Sequence, residues 1–132
     1  MKDFFISRYH SFEYALRGWW FVLKTQKNAW LHAILTTLVI LLAIWLKISA
    51  RDWAVLVLTI ALVWSAEFFN TAIEAVVDLA SPANHPLAKT GKDVGAAAVL
   101  IAALAAAIIG LLILGPPLWT KISPLFSNFS LE

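Results

Sequence analysis

Glu67-Phe68-Phe69-Asn70-Thr71-Ala72-Ile73-Glu74-Ala75-Val76-Val77-Asp78 closes a stretch, Trp53 to Val77, whose only charges are Glu67 and Glu74. Its polar residues stand at i, i+3, i+4, i+7 and i+11, a spacing that confines them to about 100° of one helix face at 3.6 residues per turn. At 1.5 Å per residue the stripe rises about 16 Å from Glu67 to Asp78. The apolar remainder is long enough for a bilayer core of roughly 30 Å, which takes about 20 helical residues. The segment therefore reads as a membrane-spanning helix with carboxylates along one side.

Two further stretches reach spanning length. Asn28 to Leu46 carries no charge, and neither does Val94 to Thr120. The composition agrees: of 132 residues 61% are hydrophobic and 14% charged, with a mean hydropathy of +0.82. A soluble core of this size cannot hide that much apolar surface. The absence of cysteine excludes disulfides, thiolate metal sites and cysteine nucleophiles. A net charge of +2 without a long basic run gives nucleic-acid binding little support.

The first 24 residues are interrupted by Asp3, Arg8, Glu13 and Arg17, which argues against a cleavable signal. At 100° per residue Glu13, Arg17 and Lys24 fall on one face and Phe12, Leu16, Trp19 and Leu23 on another, the pattern of a helix lying along a membrane surface. The expected architecture is an all-α membrane protein, with a surface helix at about 5–25 and spans at about 28–48, 53–78 and 93–117. A tail, 118–132, follows. In the third span Ala98, Ala102, Ala106 and Gly110 recur every four residues, with Gly91 and Gly95 extending the pattern, as a ridge along which backbones approach. Three spans are few for a self-contained site, so oligomerisation is expected.

Orientation follows from the ten Lys and Arg. Seven of them, Lys2, Arg8, Arg17, Lys24, Lys27, Lys89 and Lys92, fall on one side of the spans, and Lys47, Arg51 and Lys121 on the other. The positive-inside bias predicts a cytoplasmic N-terminus and an external C-terminus. Trp19, Trp20 and Trp30 then mark the inner interface and Trp45, Trp53 and Trp119 the outer one, leaving Trp64 as a packing residue.

Carboxylates inside a span cost roughly 2.5 to 3.5 kcal/mol each on insertion scales, so a set of them is a functional signal. A face that merely pairs with neighbouring cations is the plainer reading, but two glutamates and an asparagine exceed what helix gluing needs, given that intramembrane polar contacts average about 0.6 kcal/mol. Closely spaced carboxylates suit a hard divalent cation or a proton. Lys92 and Asp93 open the third span, His85 precedes it, and Tyr14, Arg17, Gln26, Asn28 and His32 lie on or just after the surface helix. Carboxylates for magnesium, a lysine for phosphate, and access to both cytosol and lipid are what transfer of a nucleotide phosphoryl group to a membrane alcohol requires, since that chemistry is mainly positioning and charge neutralisation. No P-loop or kinase-type glycine loop occurs.

The segment Glu67 to Asp78, followed by His85-Pro86-Leu87-Ala88 and Lys92-Asp93-Val94-Gly95, closely resembles the small bacterial integral-membrane lipid kinases, the diacylglycerol and undecaprenol kinases. The resemblance covers 1–117. It implies a homotrimer in the inner membrane with composite sites at subunit boundaries, ATP as phosphoryl donor and Mg2+ as cofactor. It also implies that Glu67 is the base that deprotonates the lipid hydroxyl, with Asn70 positioning the reacting groups. Glu74 would hold magnesium, while Lys92, Asp93, Asn84, His85 and Tyr14 contact the nucleotide. Gln26 stands where many members carry a second metal-binding glutamate, and offers only a neutral carbonyl oxygen. His32 stands where some relatives have an acidic residue. Taken singly, His85 reads as an ordinary loop residue and His32 as a hydrogen-bonded interfacial one; for Lys92 a cation snorkelling from a helix start is the plainer alternative, and the less favoured one. Gln26 to His32 and the His85 motif resemble the undecaprenol-kinase branch more than the diacylglycerol branch. The competing function from another class is a small ion or proton channel subunit, because carboxylates in spans also mark ion paths.

Overall fold

The computed structural model describes residues 1–81 and 85–127. They form four helices, α1 (Lys2–Thr25), α2 (Lys27–Leu46), α3 (Ala50–Ala80) and α4 (Pro86–Ser127). The last three are long and apolar enough to cross a membrane.

The chain turns corners with few residues. Between α1 and α2 only Gln26 leaves helical geometry, at φ −100° and ψ 114°, and its N–H still bonds back to the Val22 carbonyl. Lys47 ends α2 in the left-handed region, at φ 54° and ψ 48°. That conformation costs a non-glycine residue roughly 1–2 kcal/mol, and here the N–H groups of Lys47 and Ile48 reach the Ile44 and Ala43 carbonyls. Ser49 then caps α3, its hydroxyl accepting from the Asp52 N–H at 3.2 Å while donating to the Asp52 carboxylate at 2.7 Å. The three-residue connection makes α2 and α3 an antiparallel pair.

α4 starts earlier than the charge-free stretch suggests. Proline is favoured at a first helical position because the N–H it lacks would be unpaired there; Pro86 takes that place, and the His85 ring accepts from the Leu87 N–H at 3.2 Å. At 42 residues the helix is about 63 Å long, twice a hydrocarbon core, so its ends project. It continues past the expected limit of 117, through Pro116, Pro117 and Pro124. Near its far end the Lys121 ammonium donates to the Trp45 carbonyl at 2.8 Å and lies 4.4 Å from the centre of the Trp45 ring. Lys121 thus ties this part of α4 to the end of α2.

α4 packs most extensively on α3. The buried line on α4 runs through Gly95 and Val99, with Ala102, Ala106 and Gly110 half-buried and Ala98 exposed. The expected ridge is therefore corrected at Ala98: a strict four-residue spacing drifts about 40° per step around a 3.6-residue helix, and the packed line resets by a three-residue step after Val99. Close approach is concentrated at Gly95, whereas a Cβ at Gly91 would make an ordinary contact and one at Gly110 would meet nothing within 4 Å.

Two small clusters form the core. Val22 and Ala29 gather with Trp64, and Leu23, Ala33 and Phe68 pack around them. Ala43, Leu56 and Leu114 gather near the other end. Trp64, as expected, is a packing residue: its ring lies 4.7 Å from that of Trp19 and 5.9 Å from that of Phe68, and its indole N–H donates to the Thr36 hydroxyl at 3.3 Å. α1 carries a polar cluster in which Glu13 meets both His10 and Arg17; the hydrogen bond from His10, then the Arg17 guanidinium, hold the Glu13 carboxyl below its usual range.

Candidate active site

The predicted stripe forms one face of α3. Glu67 is 1% exposed, the most completely buried large side chain among the described residues. One carboxylate oxygen, Oε2, is buried without a hydrogen-bond partner, and 3.8 Å away stands Nε2 of His32, which is also buried. His32 thus faces α3, where it is buried beside Glu67. One turn further along, Thr71 donates its hydroxyl to the Glu67 carbonyl at 2.9 Å.

Glu74 is held from two sides. Gln26 Nε2 donates to one oxygen and Asn70 Nδ2 to the other, each at 3.1 Å. The sequence-predicted residues Gln26, Asn70 and Glu74 are thus brought together, although Gln26 faces Glu74 through its nitrogen. Which amide atom points inward follows from the bonding network, and a half-turn would present the Gln26 carbonyl oxygen.

Asn70 leans on α4, where a Cβ built at Gly95 would collide with its Oδ1 and lie 3.4 Å from its Cγ. Gly95 is therefore the residue that allows Asn70 its place, a role the small-residue pattern did not assign. Gly95→Ala should displace the Asn70 amide from Glu74 and lower turnover by about 10- to 100-fold, the scale on which small misplacements of reacting groups act. Gly91→Ala, whose Cβ would make an ordinary 3.7 Å contact with Val77, should leave turnover within about twofold. Steady-state rates of the two variants, with helix content checked by circular dichroism, make the comparison.

Past Glu74 the stripe opens into a polar cavity of about 510 Å³ between the end of α3 and the start of α4, lined by Asp78, Ser81, His85, Lys89, Lys92 and Asp93 among others. Lys92 forms an ion pair with Asp78. Ala88, Lys89 and Lys92 follow helical spacing, so they share one face of α4, and His85 stands immediately before that helix. Lys89, which the sequence marks only as a determinant of orientation, is a second cation here, and its position three residues before Lys92 is the signal for it. Tyr14 is not among the lining residues. It is exposed on α1, stacked on His10 at 6.3 Å with the Arg17 guanidinium 6.0 Å from its ring centre. Asn84 lies outside the described residues.

On the opposite side of Glu67 a second cavity, of about 460 Å³, runs between α2, α3 and α4. His32 stands at one end, and Val39, Leu56, Ala106 and Leu114 line its length. Among the described residues no three His, Asp or Glu side chains converge as a metal cluster. Both Glu74 oxygens accept from amide N–H groups; with the Gln26 amide turned, one carboxylate and one neutral oxygen would face the same point, which fits magnesium, an ion bound through one or two carboxylates with the remaining positions left to water and phosphate.

An all-helical chain with three helices long and apolar enough to span a membrane, a carboxylate stripe buried at Glu67 and exposed at Asp78, and a cavity towards each end of that stripe has the build of a polytopic membrane enzyme. A profile of the prokaryotic diacylglycerol kinase family matches residues 13–114, and the chain belongs to that family of lipid kinases. It is 40% identical over 110 residues to the undecaprenol kinase of Bacillus subtilis, an alignment covering 83% of this chain and 89% of that relative. With the diacylglycerol kinase of Synechocystis it shares 46% over 109 residues, covering 82% of this chain and 62% of the longer relative. The diacylglycerol kinase of Escherichia coli K12 is 36% identical over 92 residues, 64% of this chain and 75% of the relative. A kinase of this family takes its phosphoryl group from ATP.

Proposed function

We propose that the protein transfers the γ-phosphoryl group of ATP to the hydroxyl of a membrane lipid alcohol, undecaprenol or diacylglycerol, at the cytoplasmic face of the inner membrane. The observation that carries this reading is the position of Glu67. Its carboxylate is buried with an unpartnered oxygen, on the part of α3 that lies between the residues lining an apolar cavity fit for a lipid chain, Leu56 to Val63, and those lining a cavity that bears Lys89 and Lys92, Val77 to Ser81.

In this mechanism Glu67 accepts the proton of the lipid hydroxyl as that oxygen attacks the γ-phosphorus. The bond from phosphorus to the bridging oxygen breaks, and ADP leaves with its electron pair. Asn70 orients the reacting groups from the next turn. Lys92, released from Asp78 in exchange for phosphate, and Lys89 balance the charge of the phosphates, while Asp93, His85, Asn84 and Tyr14 contact the nucleoside. Glu74, with the Gln26 carbonyl after an amide half-turn, would hold Mg2+, which supplies neutralisation of charge on the phosphates. Tyr14 stands apart from the polar cavity of its own chain, which supports a homotrimer in which α1, lying on the membrane surface, completes a neighbour's site.

The test is transfer of radiolabelled phosphate from ATP to undecaprenol and to diacylglycerol by the purified protein in mixed micelles. Label in either lipid supports the reading and identifies the acceptor; label in neither refutes it. The channel alternative needs polar groups continuing past Glu67. On that side Thr59 spends its hydroxyl on the Val55 carbonyl, and the cavity wall is apolar except for His32, Thr36 and Thr59.

Every catalytic residue must also be reachable from cytosolic ATP. The chain has no cysteine, so single substitutions report topology cleanly. Ser127→Cys should react with a membrane-impermeant maleimide in intact cells, and Ala83→Cys only after permeabilisation. Labelling of Ala83→Cys from outside would place Lys92 and Asp93 away from the ATP pool and sink the assignment.

A further inference from the structure

Three polar contacts cross from α2 and its leading residue to α3. Gln26 meets Glu74 at 3.1 Å, His32 meets Glu67 at 3.8 Å, and Thr36 meets Trp64 at 3.3 Å. They descend α3 as they climb α2, in the register of an antiparallel pair. The outer two are closed hydrogen bonds. The middle one is too long to be a hydrogen bond, and it contains the single carboxylate oxygen among the described residues that is buried without a partner.

We propose that His32 is a positioning residue for Glu67, donating its Nε2–H to Glu67 Oε2 once substrate is bound, so that Oε1 is aimed at the lipid hydroxyl. The inference rests on Glu67 being the base. Catalytic hydrogen bonds that are long without substrate commonly tighten in the reacting complex, and the step here is from 3.8 Å to about 2.9 Å. The imidazole is buried and meets the Trp64 ring edge-on, with ring centres 6.4 Å apart. Trp64 is itself fixed by its bond to Thr36. His32 also lines the apolar cavity, so a lipid chain lying there closes the space on its open side. No proton is transferred between the two side chains; the hydroxyl proton goes to Oε1, and the imidazole holds the other oxygen throughout.

The test compares His32→Phe, which keeps a ring and removes the donor, with His32→Gln, which keeps a donor. Both are made in the full chain and assayed in mixed micelles with ATP and the better lipid acceptor. His32→Phe should lower kcat by about 10- to 100-fold with KM for ATP and lipid within about twofold. His32→Gln should retain at least about a third of kcat, because it restores the hydrogen bond. If His32→Phe fails to fold, His32→Leu and His32→Asn give the same contrast of donor against no donor. Equal losses in the donor and non-donor variants, or a loss confined to KM, would overturn the proposal. If Glu67→Gln is inactive while His32→Phe remains active, the positioning role alone fails. Should Glu67→Gln itself remain active, the base assignment is wrong and this inference falls with it.

Discussion

Glu67→Gln should reduce phosphoryl transfer by at least about 100-fold, the lower bound of the range for loss of a general base, while the folded protein becomes no less stable. The two halves of this expectation have one origin. A buried carboxylate with an unpartnered oxygen is a cost to the fold: the side chain is 1% exposed, its Oε2 has no hydrogen-bond partner, and the nearest cation candidate is 3.8 Å away. On insertion scales an acidic group within a span costs roughly 2.5 to 3.5 kcal/mol. Glutamine has the same shape without the charge, so the substitution removes a liability together with the proton acceptor. A structural glutamate would behave in the opposite way, because taking the charge from a made ion pair leaves the partner buried and unpaired. Turnover in mixed micelles and the thermal unfolding midpoint in detergent, measured on the same preparation, separate the cases. Activity above about a tenth of the parent level argues against the base role, and a fall in the midpoint with activity retained would make Glu67 a packing element.

The three spans and the carboxylate stripe were legible because the bilayer imposes them. An uncharged run of 20 residues has few other uses, and five polar residues at helical spacing can face together only on a helix. Contacts between helices were less legible. Ala98 and Gly110 look equivalent in a four-residue repeat, and only the drift of a 3.6-residue helix against its neighbour shows which is covered. Gly95 is one more small residue in the sequence, and only the structure puts the Asn70 side chain in the place of its Cβ. The position of His32 along a span indicates depth and says nothing of which helix stands opposite, so its place beside Glu67 is visible only in the structure. Helix ends set by backbone geometry were also hidden, as with the left-handed Lys47, where glycine would have announced the turn.

The second large effect concerns magnesium. Glu74→Ala is expected to raise the magnesium concentration for half-maximal activity by at least about tenfold, the scale on which metal sites respond to loss of a partner group. Gln26→Glu is expected to lower it, for a reason visible in the present bonding. Gln26 Nε2 donates to Glu74 Oε2 at 3.1 Å; a carboxylate in its place cannot donate, and two like charges at that distance repel strongly inside a protein. Divalent cation relieves the repulsion and gains an anionic ligand where the parent offers a neutral oxygen. The Gln26→Glu protein should therefore be less stable than the parent without magnesium, and its unfolding midpoint should rise on magnesium addition in the absence of ATP, as binding to the folded state alone requires. The parent, with one carboxylate and two amides around that point, should respond weakly. A parent-like magnesium titration of Gln26→Glu, in both activity and unfolding midpoint, would show that residue 26 lies outside the metal shell. Glu74 would then hold the ion with Asn70 and the phosphates, while Gln26 acts only to orient the Glu74 carboxylate.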